Sequence, residues 1–210
     1  MKHIWICQSL LLSGVLLLGA NSAVAAPPPI LLTIDVSNPS AVTITATGSS
    51  AMVNDSTTIA NDGVDLLGFF RTSHENDFFY QFLAGNLSGG NTGVVYNDVW
   101  TDLQSTGGET FFDLSLYRDI SSAGQGNTQN FSTTQPAFTG SWTIDFAAQG
   151  ITSLDLPTVG TVGDIFSGVS SHPGQVIGSW RVVPVPEPTL GSLALLGLGA
   201  ALWRKRHIKS

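Results

Sequence analysis

Between residues 26 and 184 the chain has no cysteine and no lysine. The one cysteine, Cys7, lies near the N-terminus, so no disulfide braces this stretch and its stability has to come from a buried core or bound ions. Fourteen carboxylates stand against three arginines, Arg71, Arg118 and Arg181, which leaves a net charge of −11 over residues 26–184. A field of that sign repels nucleic acid and anionic membrane surfaces and favours cations, basic partners or neutral glycans. His74 and His172 are the only histidines in this region. There is no thiol nucleophile, no Gly-x-Ser-x-Gly, no His-Glu-x-x-His and no phosphate-binding glycine loop. The expectation is therefore a non-enzymatic protein without a cofactor. Helical periodicity of useful length and internal repeats are also missing.

What is present is β patterning. Residues 30–36 (ILLTIDV), 64–70 (VDLLGFF), 77–83 (DFFYQFL), 94–100 (VVYNDVW), 141–146 (SWTIDF) and 175–183 (QVIGSWRVV) are rich in β-branched and aromatic residues. In residues 41–47 apolar and polar positions alternate strictly, and 109–118 alternate again with Phe111 and Tyr117 on the other face, putting Val42, Ile44, Leu114 and Leu116 toward a core. Residues 151–156 and 161–166 are lesser strand candidates. Ser37-Asn38-Pro39-Ser40 and Asn61-Asp62-Gly63 mark turns. Residues 64–70 and 77–83 look like a hairpin, and the polar run 119–136 like a long loop. Eight or nine short strands in one domain of about 159 residues, 26–184, predict an all-β fold, a single antiparallel β-sandwich of jelly-roll type.

Each candidate for chemistry has a plainer reading beside it. Trp100, with Asn97, Asp98 and Asp102 around it, has the makings of a glycan contact, an indole face with hydrogen-bonding neighbours. Trp142 and Trp180 sit in regular strand patterns and belong in the core. Asp55, Asp62 and Asp65, beside Asn54 and Asn61, offer the hard oxygens calcium prefers, although the spacing is not that of an EF-hand and such residues are first of all turn formers. His74-Glu75-Asn76-Asp77 sits on a polar turn where adjacent side chains point apart. Glu109 and Asp113 share one strand face, but at about 3.3 Å per residue their Cα atoms are roughly 13 Å apart. Glycosidase carboxylates work at about 5–9.5 Å. The threonines at 43, 45 and 47 form one ladder, as β propensity alone provides.

The two chain ends are addresses. Lys2 and His3 precede an apolar run over residues 4–19, and Ala23 and Ala25 form an A-x-A site, so residues 1–25 predict a secretory signal peptide cut before Ala26 by signal peptidase. Residues 185–210 combine Val185-Pro186-Glu187-Pro188, an uncharged segment over 189–203, and Arg204-Lys205-Arg206. The prolines hold the entry extended. Fifteen residues span only about 22 Å as a helix, short of a roughly 30 Å hydrocarbon core. The basic cluster stays cytoplasmic under the positive-inside rule.

This tripartite tail closely resembles the PEP-CTERM sorting signal of exopolysaccharide-producing bacteria with an outer membrane. The resemblance implies processing near Pro186-Glu187-Pro188 by exosortase, only transient membrane residence through a short C-terminal helix, and delivery to the cell surface or extracellular matrix. Exopolysaccharide is then the natural ligand for a carbohydrate-binding alternative. Because such tails also occur on some ice-binding proteins, ice binding is a further alternative, one that calls for several aligned threonine rows where the sequence displays one.

Overall fold

The computed structural model describes residues 26–58, 63–72, 78–80, 84–90, 95–102, 112–118, 128–168 and 174–184. It is an all-β chain. Its strands are β1 (Ile30–Asp35), β2 (Val42–Ala46), β3 (Asp55–Thr58), β4 (Val64–Phe70), β5 (Phe78–Tyr80), β6 (Ala84–Gly85), β7 (Ser88–Gly89), β8 (Asp98–Asp102), β9 (Phe112–Tyr117), β10 (Thr128–Phe131), β11 (Phe138–Thr139), β12 (Ser141–Ile144), β13 (Val162–Ser167) and β14 (Val176–Val182). The β1–β2 turn follows from local chemistry. The Asp35 carboxylate accepts the Ser37 amide, the Asn38 side chain accepts the Ser40 amide, and Pro39 opens a 3-10 turn over Pro39–Ala41.

Ten strands form one sheet in the order β5-β8-β9-β4-β13-β14-β1-β2-β12-β6. Laid flat, nine interstrand steps of about 4.8 Å would put its edges about 43 Å apart. Yet the edge strands β5 and β6 are joined between Tyr80 and Ala84, a connection that reaches at most about 14 Å. The sheet must therefore curl on itself. It is also mixed, which corrects the expectation of a wholly antiparallel fold: β1 and β14 run parallel, with Leu32 opposite Trp180 and Ile34 opposite Val182. A parallel pair cannot be closed by a tight turn, and here nearly the whole domain serves as the crossover.

The concave face is apolar. Val42 and Ile44, Leu32 and Ile34, Trp180 and Val182, Ile165, Val64 and Leu66, Leu114 and Leu116, and Val99 are all buried, in rows set by the strand registers. Each such side chain contributes about 1.5–3 kcal/mol on burial, which lets the domain do without disulfides. Gly163 is needed where it lies, since a Cβ there would sit 2.5 Å from the Trp180 indole.

Both ends of the curl are closed. At one end β3 pairs with β10 and β7 with β11, bringing buried Leu87, Tyr96, Phe131, Ala137 and Phe138 together. At the other, Phe69, Phe70, Phe146 and Trp180 pack with centroid distances of 4.9–6.1 Å. Phe69 and Phe70 are consecutive, and alternation would send them to opposite faces. Instead the register shifts between Leu66 and Phe70, Gly68 takes a φ of 62°, and both rings are buried.

Three sequence expectations change. β4 and β5 are not a hairpin: β4 lies between β13 and β9, and β5 pairs with β8. The order β5-β8-β9-β4 is a Greek-key arrangement instead. Residues 151–156 form a turn rather than a strand, because Asp155 accepts the amide and hydroxyl of Thr152, at 2.8 Å each, and the hydroxyl of Thr72. The polar run 119–136 contains β10, drawn into pairing by β3 and by burial of Gln129 and Phe131.

Candidate functional site

Strand β8 presents the site. Val99 and Thr101 point inward and are buried, so Asp98 and Trp100 lie on the convex side. Trp100 is 48% exposed, whereas Trp142 and Trp180 are enclosed in the core. It is the only exposed aromatic residue among the described ones. In register it lies between Phe79 of β5 and Ser115 of β9, on a strand paired on both sides, so its backbone position is rigid. A half-open indole on such a strand keeps part of its apolar surface in contact with solvent.

Around it the face is polar but covered. Asp98 is fully buried, and so is not a surface contact; Asn97 is half-buried, and its amide donates to the Tyr117 carbonyl at 3.0 Å. The side chain of Asp102 lies outside the described residues. Asp113 is buried opposite Asp102 in register, and its Oδ1 accepts the Gly68 amide at 2.7 Å. That bond holds the bulge that turns Phe69 and Phe70 inward, which gives Asp113 a structural task. Its proposed partner Glu109 lies outside the described residues. Ser115 Oγ donates to Asp65 Oδ1 at 3.1 Å, both buried.

Two of the three calcium candidates lie among the described residues. Asp55 accepts the Ser56 amide at 2.8 Å and the Ser167 hydroxyl, and Asp65 is engaged by Ser115. Asp62 and residues 74–77 lie outside the described residues, as do the signal-peptide positions Ala23 and Ala25 and the whole tail from Val185 through Arg206. Ala26 is the first described residue. Among the described residues no group of three or more His, Cys, Asp or Glu is placed to hold a metal ion, and no helix is long and apolar enough to cross a membrane.

Two arrangements escaped the sequence. The Tyr96 hydroxyl donates to Gln129 Oε1 at 2.8 Å, and Gln129 Nε2 donates to the Gly63 carbonyl, all buried. Burial pushes the Tyr96 phenol far above its ordinary pKa. The close packing of Tyr96 on Gly89, where a Cβ would meet the phenol oxygen, was the available signal. Second, the Thr-Ile-Asp tripeptides at 33 and 143 fall on the strands flanking β2. Thr33, Thr45 and Ser141 form one row, and Asp35, Thr43 and Thr143 another. The first row continues into Arg181 of β14, so the hydroxyl array is small and bounded by charge.

Comparison with protein-family models, with curated proteins and with solved structures finds no match.

Proposed function

We propose that the chain is an exported, non-enzymatic surface or matrix protein. Signal peptidase would remove residues 1–25, the tail would hold the chain transiently in the inner membrane, and exosortase would process it. The observation that carries this is the coincidence, at the C-terminus, of Val185-Pro186-Glu187-Pro188, an apolar segment too short to span comfortably, and Arg204-Lys205-Arg206. A jelly-roll-like sandwich for residues 26–184 belongs to the same reading, and the all-β, curled sheet supports it. Replacing Pro186, Glu187 and Pro188 together by alanine should leave the protein in the inner-membrane fraction of an exosortase-bearing host. Unchanged delivery of that variant to the surface contradicts the proposal.

A second reading, binding of exopolysaccharide, is favoured by the exposure of Trp100, the one exposed aromatic side chain among the described residues. A sugar ring stacked on the indole, with Asn97 at its margin, is the expected contact. Polysaccharide pull-down with the full chain and with Trp100→Ala tests it. Retention lost in the variant while the fold survives supports the reading, and equal retention removes it.

A further inference from the structure

β14, the last strand before the tail, is held on both sides. Five register pairs join it to β13, from Val162–Arg181 to Phe166–Val176, and four join it to β1, from Ile30–Ser179 to Ile34–Val182. β1, the first strand, is likewise flanked, by β14 and β2. Because β1 and β14 are parallel neighbours, the chain enters β1 at one end of the pair and leaves β14 at the other. The entry at Ile30 and the exit at Val182, level with Ile34, are separated by about 13 Å along the strands and about 4.8 Å across them. The line between them lies within about 20° of the strand axis. The interstrand hydrogen bonds lie across that direction. Tension between the two termini therefore slides β14 past its neighbours, and many bonds must yield together instead of one after another.

Side chains lock the same pair against sliding. Leu31 packs onto Gly178, where a Cβ would sit 2.5 Å from its Cδ1, and the Trp180 indole lies over Gly163 of β13. Sliding β14 by one residue would drive Trp180 out of the only space that accepts it. The ladder is extended at both extremities by the Ser179 amide bonded to the Pro29 carbonyl and the Val183 amide bonded to the Ile34 carbonyl, at 2.9 Å each.

We propose that the β1–β14 pair is a mechanical clamp that resists tension applied between the N-terminal entry to β1 and the C-terminal exit from β14. Tension entering through Val183 runs along the axis of β14 wherever the domain is gripped. The use of this clamp while the tail holds the chain in the inner membrane rests on the sorting reading above, but the clamp itself is a property of the fold and is tested without it.

The test is single-molecule force spectroscopy on the full chain carrying Cys7→Ser and Ala26→Cys, in two geometries. Held at position 26 and by a C-terminal tag, the chain is loaded in shear. Held at position 26 and at exposed Asp164→Cys of β13, which lies in one row with Ser179 and Ile30, the pair is loaded across the strands and opens bond by bond. The shear geometry should unfold at a force at least about two-fold higher, since forced unfolding reads the barrier along the pulled direction. Equal forces in the two geometries overturn the proposal. Val183→Pro, which removes the last amide of the ladder just beyond the strand, should shorten the lifetime in shear about five-fold, the equivalent of one net hydrogen bond, and leave the transverse geometry unchanged. An equal shortening in both geometries would mean that the bond contributes general stability only, and would also overturn it.

Discussion

The convex face of the sheet has two unlike halves. Over β1, β2 and β12 it carries Thr33, Thr43, Thr45, Ser141 and Thr143, half-buried or exposed, with carboxylate and guanidinium groups at the margins. Over β4, β9 and β8 it carries Asp65, Asp98, Asp113, Ser115 and Tyr117, all buried, with Trp100 standing open among them. Both halves follow from the same two-residue alternation, and both look polar when read as sequence. The difference is burial: on the covered half Asp113 Oδ1 accepts the Gly68 amide and Asp65 Oδ1 accepts the Ser115 hydroxyl, and removing such a partner costs about 1–3 kcal/mol. The threonine half is a solvated surface; the carboxylate half is part of the fold, and among its described side chains Trp100 is the exposed one.

The comparison breaks most sharply at its aspartates. Asp113→Ala should destabilise the domain by about 2–3 kcal/mol in denaturant unfolding, because the buried Gly68 amide loses its acceptor and the bulge beneath Phe69 is released. Asp35→Ala, on the solvated half, should cost only about 0.5–1 kcal/mol, because water can replace the carboxylate at the exposed Ser37 amide. Equal effects would show that burial does not separate the two halves.

Next in size is a pH effect from the closed end beneath the carboxylate half. The folded-state pKa of Tyr96 is raised by burial, so the folded state keeps the phenol neutral while the unfolded chain ionises near its ordinary value of about 10. The stability Tyr96 contributes is complete below that value and is lost as pH rises above it, at up to about 1.4 kcal/mol per pH unit. Unfolding curves from pH 9 to 11.5 should show this fall, and Tyr96→Phe should flatten it. A slope unchanged in that variant would assign the effect elsewhere.

At Trp100 the stability effect should be within about 0.5 kcal/mol, while affinity for exopolysaccharide falls at least about ten-fold, the worth of one lost stacking contact of roughly 1.4 kcal/mol. Smallest of all, Thr45→Ala should leave both stability and polysaccharide retention unchanged within about 0.5 kcal/mol. A loss of binding at Thr45 with none at Trp100 would exchange the roles of the two halves.

How far the sequence speaks can be read from the same residues. Val42, Ile44, Leu114 and Leu116 were legible as core because alternation records burial directly, and Trp142 and Trp180 because they stand in that pattern. β4 and β5 read as a hairpin since nearness along the chain favours local pairing, whereas the Greek-key order depends on partners that arrive later, β8 and β9. Gly68 hid the bulge: nothing in VDLLGFF says that its glycine takes a positive φ and brings two consecutive phenylalanines to one side. Gln129 read as a loop residue because polar side chains carry no periodic signal, and its burial follows from the acceptor and donor that Gly63 and Tyr96 provide; Asp155 read as part of a strand candidate, and the turn it builds depends on Thr152 and the distant Thr72. Trp100 was legible as a candidate, but its exposure could be read only from the fold. Of the surrounding polar residues named with it, Asp98 proved to lie beneath the surface.

The account stands or falls on whether the tail is a removable address. The direct measurement is the intact mass of the protein recovered from the surface or matrix of an exosortase-bearing cell. The predicted product begins at Ala26 and ends near Pro186-Glu187-Pro188, without the apolar segment and without Arg204-Lys205-Arg206. A surface product whose mass still includes residues 189–206 contradicts it.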